Sequence, residues 1–119
     1  MVYKQKGFTP FTQRTEANTP ILKRKLDKDI NAEANNDGTI FIDNSIKKGT
    51  TKYKKAVNHE LEHMNQMESG RANYSENSLT WEGKKYDRKD GMINYEGEWY
   101  QEGDHGLPWE KEAIQAENK

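Results

Sequence analysis

The sequence predicts an α+β fold, and three features carry that reading. Two short runs flank an Asn/Asp-Gly turn, an uninterrupted helical stretch of about twenty residues follows, and the remainder alternates aromatic residues with Gly-containing turns before a Pro-initiated helix. Each element follows from local chemistry. Residues 1–20 carry Pro10 and Pro20 among Thr, Gln, Lys and Asn without a sustained period, which predicts an extended or disordered arm, either a plain tail or a docking segment anchored by Phe8 and Phe11. Residues 21–119 then form a single domain. Between Ile21 and Asp29 the chain is short and charged, and Leu22 and Leu26 are spaced for one helical turn. Ile30–Ala34 and Thr39–Asp43 enclose Asn35-Asn36-Asp37-Gly38, the signature of a hairpin.

Gly49-Thr50-Thr51 interrupts the chain and supplies a hydroxyl N-cap, so a helix is expected from about Thr51 to Ser69, with Gly70 as its stop. Tyr53, Val57, Met64 and Met67 form its inward face, while Leu61 and Glu62 project away from it. Downstream, Leu79–Tyr86 and Ile93–Tyr100 share the pattern aromatic-Glu-Gly-x-x-Tyr at an offset of 14 residues. Glu-Gly at the turns with aromatics on either side predicts two hairpins or one meander. Trp81, Tyr86, Tyr95 and Tyr100 serve either as packing of that sheet or as the lining of a cleft. Pro108 suits a first helical turn, and residues 109–117 are rich in helix formers.

Composition limits the function classes. With 31% hydrophobic and 33% charged residues the core is thin, and the absence of cysteine excludes disulfides, leaving histidine and carboxylate as the ligands for any stabilising metal. Nineteen basic and 20 acidic residues give a net charge of −1, so nothing draws the whole chain to a polyanion. The basic clusters Lys23–Lys25 and Lys47–Lys55 have no nucleic-acid motif beside them and read as solvated faces. No apolar run reaches the ~20 residues of a membrane span, and the first residues lack the apolar stretch of a signal peptide.

The chemistry concentrates at His59-Glu60-Leu61-Glu62-His63, an H-E-x-x-H spacing. Chance produces it in roughly one of a few hundred chains this size, but here it falls inside the predicted helix and uses two of the three histidines. Residues four apart share a helix face, so both imidazoles can converge on one Zn²⁺. Glu60 is then the candidate base for a water that zinc has acidified. The strand at 39–43 precedes this helix, as a substrate-pairing strand does in such sites.

Catalytic zinc takes three protein ligands, and the candidates for the third are Asp104, His105, Glu110, Glu112 and Glu117. On the last helix, Glu110 and Glu117 lie within the face formed by Leu107, Trp109, Ala113, Ile114 and Ala116, whereas Lys111, Glu112 and Gln115 lie opposite. A carboxylate on an apolar face needs a partner, which favours Glu110 as the ligand and Glu117 as its supporting neighbour. Glu112 and His105 remain alternatives, and His105 also suits a loop position or a role steadying an oxyanion.

With His59, Glu60 and His63 followed by Glu110-Lys111-Glu112-Ala113 on a second helix, the sequence resembles a minimal gluzincin-type zinc metallopeptidase. It is also similar to small zincin-like proteins encoded by tailed bacteriophages, through Asn58–Met67, Trp81–Tyr86 and Pro108–Ala113. The resemblance spans roughly residues 39–117. It implies a zincin-like fold: an active-site helix on a small, mostly antiparallel sheet, with β-hairpins and a C-terminal helix carrying the third ligand. It further implies hydrolysis of a peptide or protein substrate in the cytoplasm of an infected cell. The alternative it carries is a virion structural or connector protein that docks other virion proteins through residues 1–20.

Overall fold

The computed structural model describes residues 13–35 and 37–119 as an α+β fold of two sheets and two helices. Part of the expected N-terminal arm, residues 1–12 with Phe8 and Phe11, lies outside the described residues. The remainder of that arm is held in place. After a 3-10 turn at Glu16–Asn18, Thr19 is buried, and Arg14 ties the segment to the long helix. Its backbone N–H donates to Asn65 at 2.6 Å and its guanidinium pairs with Glu68 at 2.8 Å. The same guanidinium lies against Gly38, where an added Cβ would come within 3.0 Å of it.

The first sheet has the order β1-β3-β2, with β1 at Ile21–Arg24, β2 at Ala32–Ala34 and β3 at Ile40–Asp43. β2 and β3 are antiparallel around the Asn35–Gly38 turn, with Glu33 opposite Phe41. Asp37 accepts from the Thr39 backbone N–H at 3.0 Å, and Gly38 takes a positive φ of 92°. β1 corrects the expectation of a helical turn at Leu22 and Leu26. It pairs in parallel with β3, Ile21 opposite Ile40, and Leu22 is left exposed. Pairing with a strand some twenty residues downstream, rather than any local period, decides its conformation.

Helix α1 spans Thr51–Glu68. The Thr50 hydroxyl accepts from the Tyr53 N–H at 3.2 Å, and Gly70 follows the last turn at φ 84°. Ile40, Ile42 and Ile46 pack against Tyr53, Val57, Leu61 and Met64 in one buried cluster. Leu61 therefore belongs to the inward face, contrary to expectation. At 100° per residue it lies 80° from Tyr53, within an apolar stripe of ordinary width. Glu62 does point away, and meets Lys119 at 3.8 Å.

The second sheet is one antiparallel meander, β4-β5-β6-β7-β8. Its strands are Ala72–Tyr74, Ser78–Trp81, Lys84–Lys89, Met92–Tyr95 and Glu98–Gln101. Its last three connections are two-residue turns, Glu82-Gly83, Asp90-Gly91 and Glu96-Gly97, and in each both residues have positive φ. That is the type I′ geometry whose twist matches paired strands. Helix α2, Pro108–Ala116, begins with proline in its first turn. Leu107 and Trp109 join Ala72, Leu79, Trp81, Tyr86 and Ile93 in a second buried cluster, and Met67 touches both clusters. Trp81, Tyr86 and Tyr95 ring Trp109 at centroid distances of 5.7, 6.1 and 5.8 Å. α2 thus sits between the meander and α1.

Trp109 is 1% exposed at the centre of this cluster. Trp109→Ala should cost about 3–5 kcal/mol, a large part of the ~5–15 kcal/mol that stabilises a typical domain. Urea unfolding should show the loss as a lower midpoint.

Candidate metal centre

Two helices that meet along one face build the site. α1 contributes His59 and His63, one turn apart, with ring centroids 4.9 Å from each other. α2 contributes Glu110 from its first turn, 7% exposed. Glu110 Oε1 lies 3.1 Å from His59 Nε2 and 3.2 Å from His63 Nε2. Two ligands each ~2.0–2.1 Å from a tetrahedral ion lie about 3.3 Å apart, so the spacing fits a shared ion, and the donor set of two imidazoles and a carboxylate suits one. The His59, His63 and Glu110 group could hold a metal ion.

The outer ring nitrogens determine which nitrogens are free. His59 Nδ1 donates to Glu117 Oε2 at 2.8 Å. His63 Nδ1 faces Gln66 Oε1 at 3.1 Å, and the Gln66 amide nitrogen donates to Trp109 O at 3.0 Å and to Glu112 at 3.2 Å. With its nitrogen held by two acceptors, Gln66 must present oxygen to His63, so Nδ1 carries the proton. Both histidines then direct a bare Nε2 at the centre once deprotonated. Gln66, 1% exposed, belongs to no motif and sequence reasoning missed it. Its position three residues after His63 was the one available signal.

The other candidates take different places. Glu112 pairs with Arg71 at 2.6 Å, which holds it out of the ligand group. Asp104 accepts from the Gly106 N–H at 2.7 Å and shapes the loop before α2. His105 is exposed and lines the cleft without joining the ligand group. Asn58 donates to the carbonyls of Glu117 and Lys119 at 3.3 and 3.4 Å, tying the end of α2 to α1.

The site opens on a cleft of about 900 Å³. One wall is residues 29–35, including β2; the other holds Tyr74, Arg88, Glu102 and His105. Glu60 lies between them, half-buried. Trp81, Tyr86, Tyr95 and Tyr100 do not line this cleft; they pack the meander. Among the described residues the phenol at the cleft is that of Tyr74, which sequence reasoning did not single out. The strand expected at 39–43 to pair with a substrate has no free edge for one. β3 is the central strand, paired on both sides, and the strand edge on the cleft belongs to β2. Asn31 O accepts from Asp43 and Asn35 N donates to Thr39 O, so the alternation of an antiparallel ladder turns the Ala32 and Ala34 backbone groups away from β3, where the Ala34 N–H meets the Glu60 carboxylate.

Charge in the site is tightly coupled. Burial disfavours the His59 imidazolium, but hydrogen bonds to Glu110 and Glu117 outweigh it and raise its pKa to about 9. His63 is raised in the same way, its bond to Glu110 overcoming burial. For Glu110, burial pushes upward, and the two histidines overcome it and bring the pKa down to about 2. Burial raises Glu60 to about 7, against the opposing pull of both histidines. Burial and the charges of Glu110 and Glu102 hold the Tyr74 phenol well above its usual range. No protein-family model, curated protein or solved structure matches this chain.

Two predictions follow from this geometry. In chelator-treated protein, the raised His59 pKa stabilises the fold fully below its ordinary value of 6.5, and that contribution is lost as pH rises towards 9. Glu60 acts in the same direction between 4.5 and about 7, while the contribution of Glu110 is lost only as pH falls from 4.5 towards 2. The melting temperature of metal-free protein should therefore fall between pH 6 and pH 9, read by circular dichroism. A flat or rising profile would contradict the charge coupling. Separately, Gln66→Leu should weaken divalent-ion binding about 10- to 100-fold by calorimetry.

Proposed function

We propose that the chain is a zinc-dependent peptidase or related amide hydrolase on a minimal zincin-like scaffold. The observation that carries the reading is that Glu110, 47 residues beyond His63, places one oxygen against both histidine nitrogens beside a cleft that contains Glu60. His59, His63 and Glu110 are the zinc ligands in this reading. When bound, zinc acidifies water and polarises a carbonyl.

The protein's own groups supply the remaining chemistry. Glu60 is next to a ligand and half-buried, and its raised pKa suits a carboxylate that takes a proton from water near neutral pH and returns it to the departing amine. Tyr74 keeps its proton and offers a donor to the oxygen that gains charge as water adds to the carbonyl. β2 offers the Ala32 backbone groups and the Ala34 carbonyl to an extended peptide, which would bind as an added strand, while the Ala34 N–H is held by Glu60. Gln66 and Glu117 hold the two imidazoles in the tautomer that the metal requires.

Purified protein should retain close to one zinc per chain, and saturating zinc at about 100 Kd should add about 2.7 kcal/mol of stability. Glu60→Gln should keep the zinc and lower turnover of a mixed peptide library at least about 100-fold. Undiminished hydrolysis in that variant would remove Glu60 from the mechanism. Zinc retention without cleavage of any peptide would instead favour a virion scaffold role.

A further inference from the structure

A second cavity, of about 370 Å³, adjoins the cleft where Asn35, Met67 and Tyr74 form part of both linings. Met64 at 1% exposure, Ala72 at 2% and Met67 form the apolar part of its lining, and Asn35, Glu68, Asn73 and Tyr74 form the polar part. Two methionines make a wall that reshapes around whatever enters. None of these side chains is needed to hold the metal. The position of the cavity along the cleft is defined: Met67 lies one helical turn beyond His63, and Asn35 is the residue that follows β2.

We infer that this cavity is the subsite that receives a bulky apolar side chain of the peptide substrate, on the N-terminal side of the bond that is cut. The inference deepens the peptidase reading and rests on it. A peptide added to the open side of β2 pairs most favourably in the antiparallel sense. β2 ends at Ala34, just before Asn35, so the antiparallel peptide arrives past Asn35 and Met67 and then crosses the ligand group. Its residues before the scissile bond therefore pass the mouth of the cavity. A charged side chain there would face Met64, Met67 and Ala72 without a counter-charge, and Glu68 at the rim is already paired with Arg14 at 2.8 Å. Leu, Met or Phe would bury its apolar surface against them.

The test is to sequence the cleavage products of a peptide library incubated with the zinc-loaded full chain. Large apolar residues should be enriched at one position N-terminal to the cut, with kcat/KM roughly ten- to a hundred-fold above the Ala peptide. Met67→Trp, which fills the cavity from its shared wall, should move that preference to small residues while zinc content stays the same. Asn73→Trp, at an exposed position on the rim, should reduce the preference without risk to the core. A preference located only C-terminal to the cut, or one unchanged in both variants, would overturn the inference. If wild type cleaves nothing, the peptidase reading falls by itself, and titration with N-acetylphenylalaninamide still reads the cavity. Amide shifts at Met64, Met67 and Ala72 that Met67→Trp abolishes would support an apolar side-chain pocket, and their absence would exclude it.

Discussion

A carboxylate buried between two helices has to be neutralised where it lies, and in this chain two imidazoles of α1 do so. Glu110 stands on the side of α2 that also buries Trp109, Ala113 and Ala116. Left alone there, its charge would oppose the packing that seats the helix. The two Nε2 atoms resolve this conflict, as protonated partners or as co-ligands of an ion. The seam between α1 and α2 and the candidate metal centre are therefore a single construction. Weakening either weakens the other, and a nine-residue helix acquires a defined seat that its own length would not provide.

From that seam a polar chain runs outward. Gln66 joins His63 to Glu112, Glu112 to Arg71, and Arg71 to Glu82 at 2.8 Å, at the first Glu-Gly turn of the meander. Arg71 also stacks over Trp81, 4.8 Å from the ring centroid. The outer pairs are solvent-exposed and contribute little to stability. The inner bonds matter for orientation, because they fix which end of the Gln66 amide faces His63. The meander serves the site from behind by packing Trp109, and at its first strand it brings Tyr74 to the cleft.

Much of this was legible in the sequence wherever local chemistry decides the outcome. The Thr50 cap, the Gly70 stop, the Asn/Asp-Gly hairpin and the paired Glu-Gly turns each follow from backbone preferences of the residues that form them. The spacing of His59 and His63 on one face, and the cost of Glu110 on an apolar face, were equally local. What escaped was decided by distant partners. Ile21–Arg24 is a strand because β3 lies beside it, and three of its four residues are exposed. The identity of the open edge depends on the crossing that puts β3 in the middle, which no run of residues announces. Leu61 was misplaced by too narrow a view of the helical stripe. Gln66 and Tyr74 carry no motif at all, and they acquire their roles only when α2 and β4 close against α1.

The three-residue length of β2 has a further consequence. A strand edge with alanines at both ends invites another chain to pair with it, and proteins usually guard such edges by cover, charge or brevity. Here brevity and charge act together: Glu33 sits at the middle of the strand, with Asp29 just upstream. Too few ladder bonds are on offer for two copies of the protein to join edge to edge. An edge so short, with Glu60 already on its Ala34 N–H, gives another copy of the protein little to pair with.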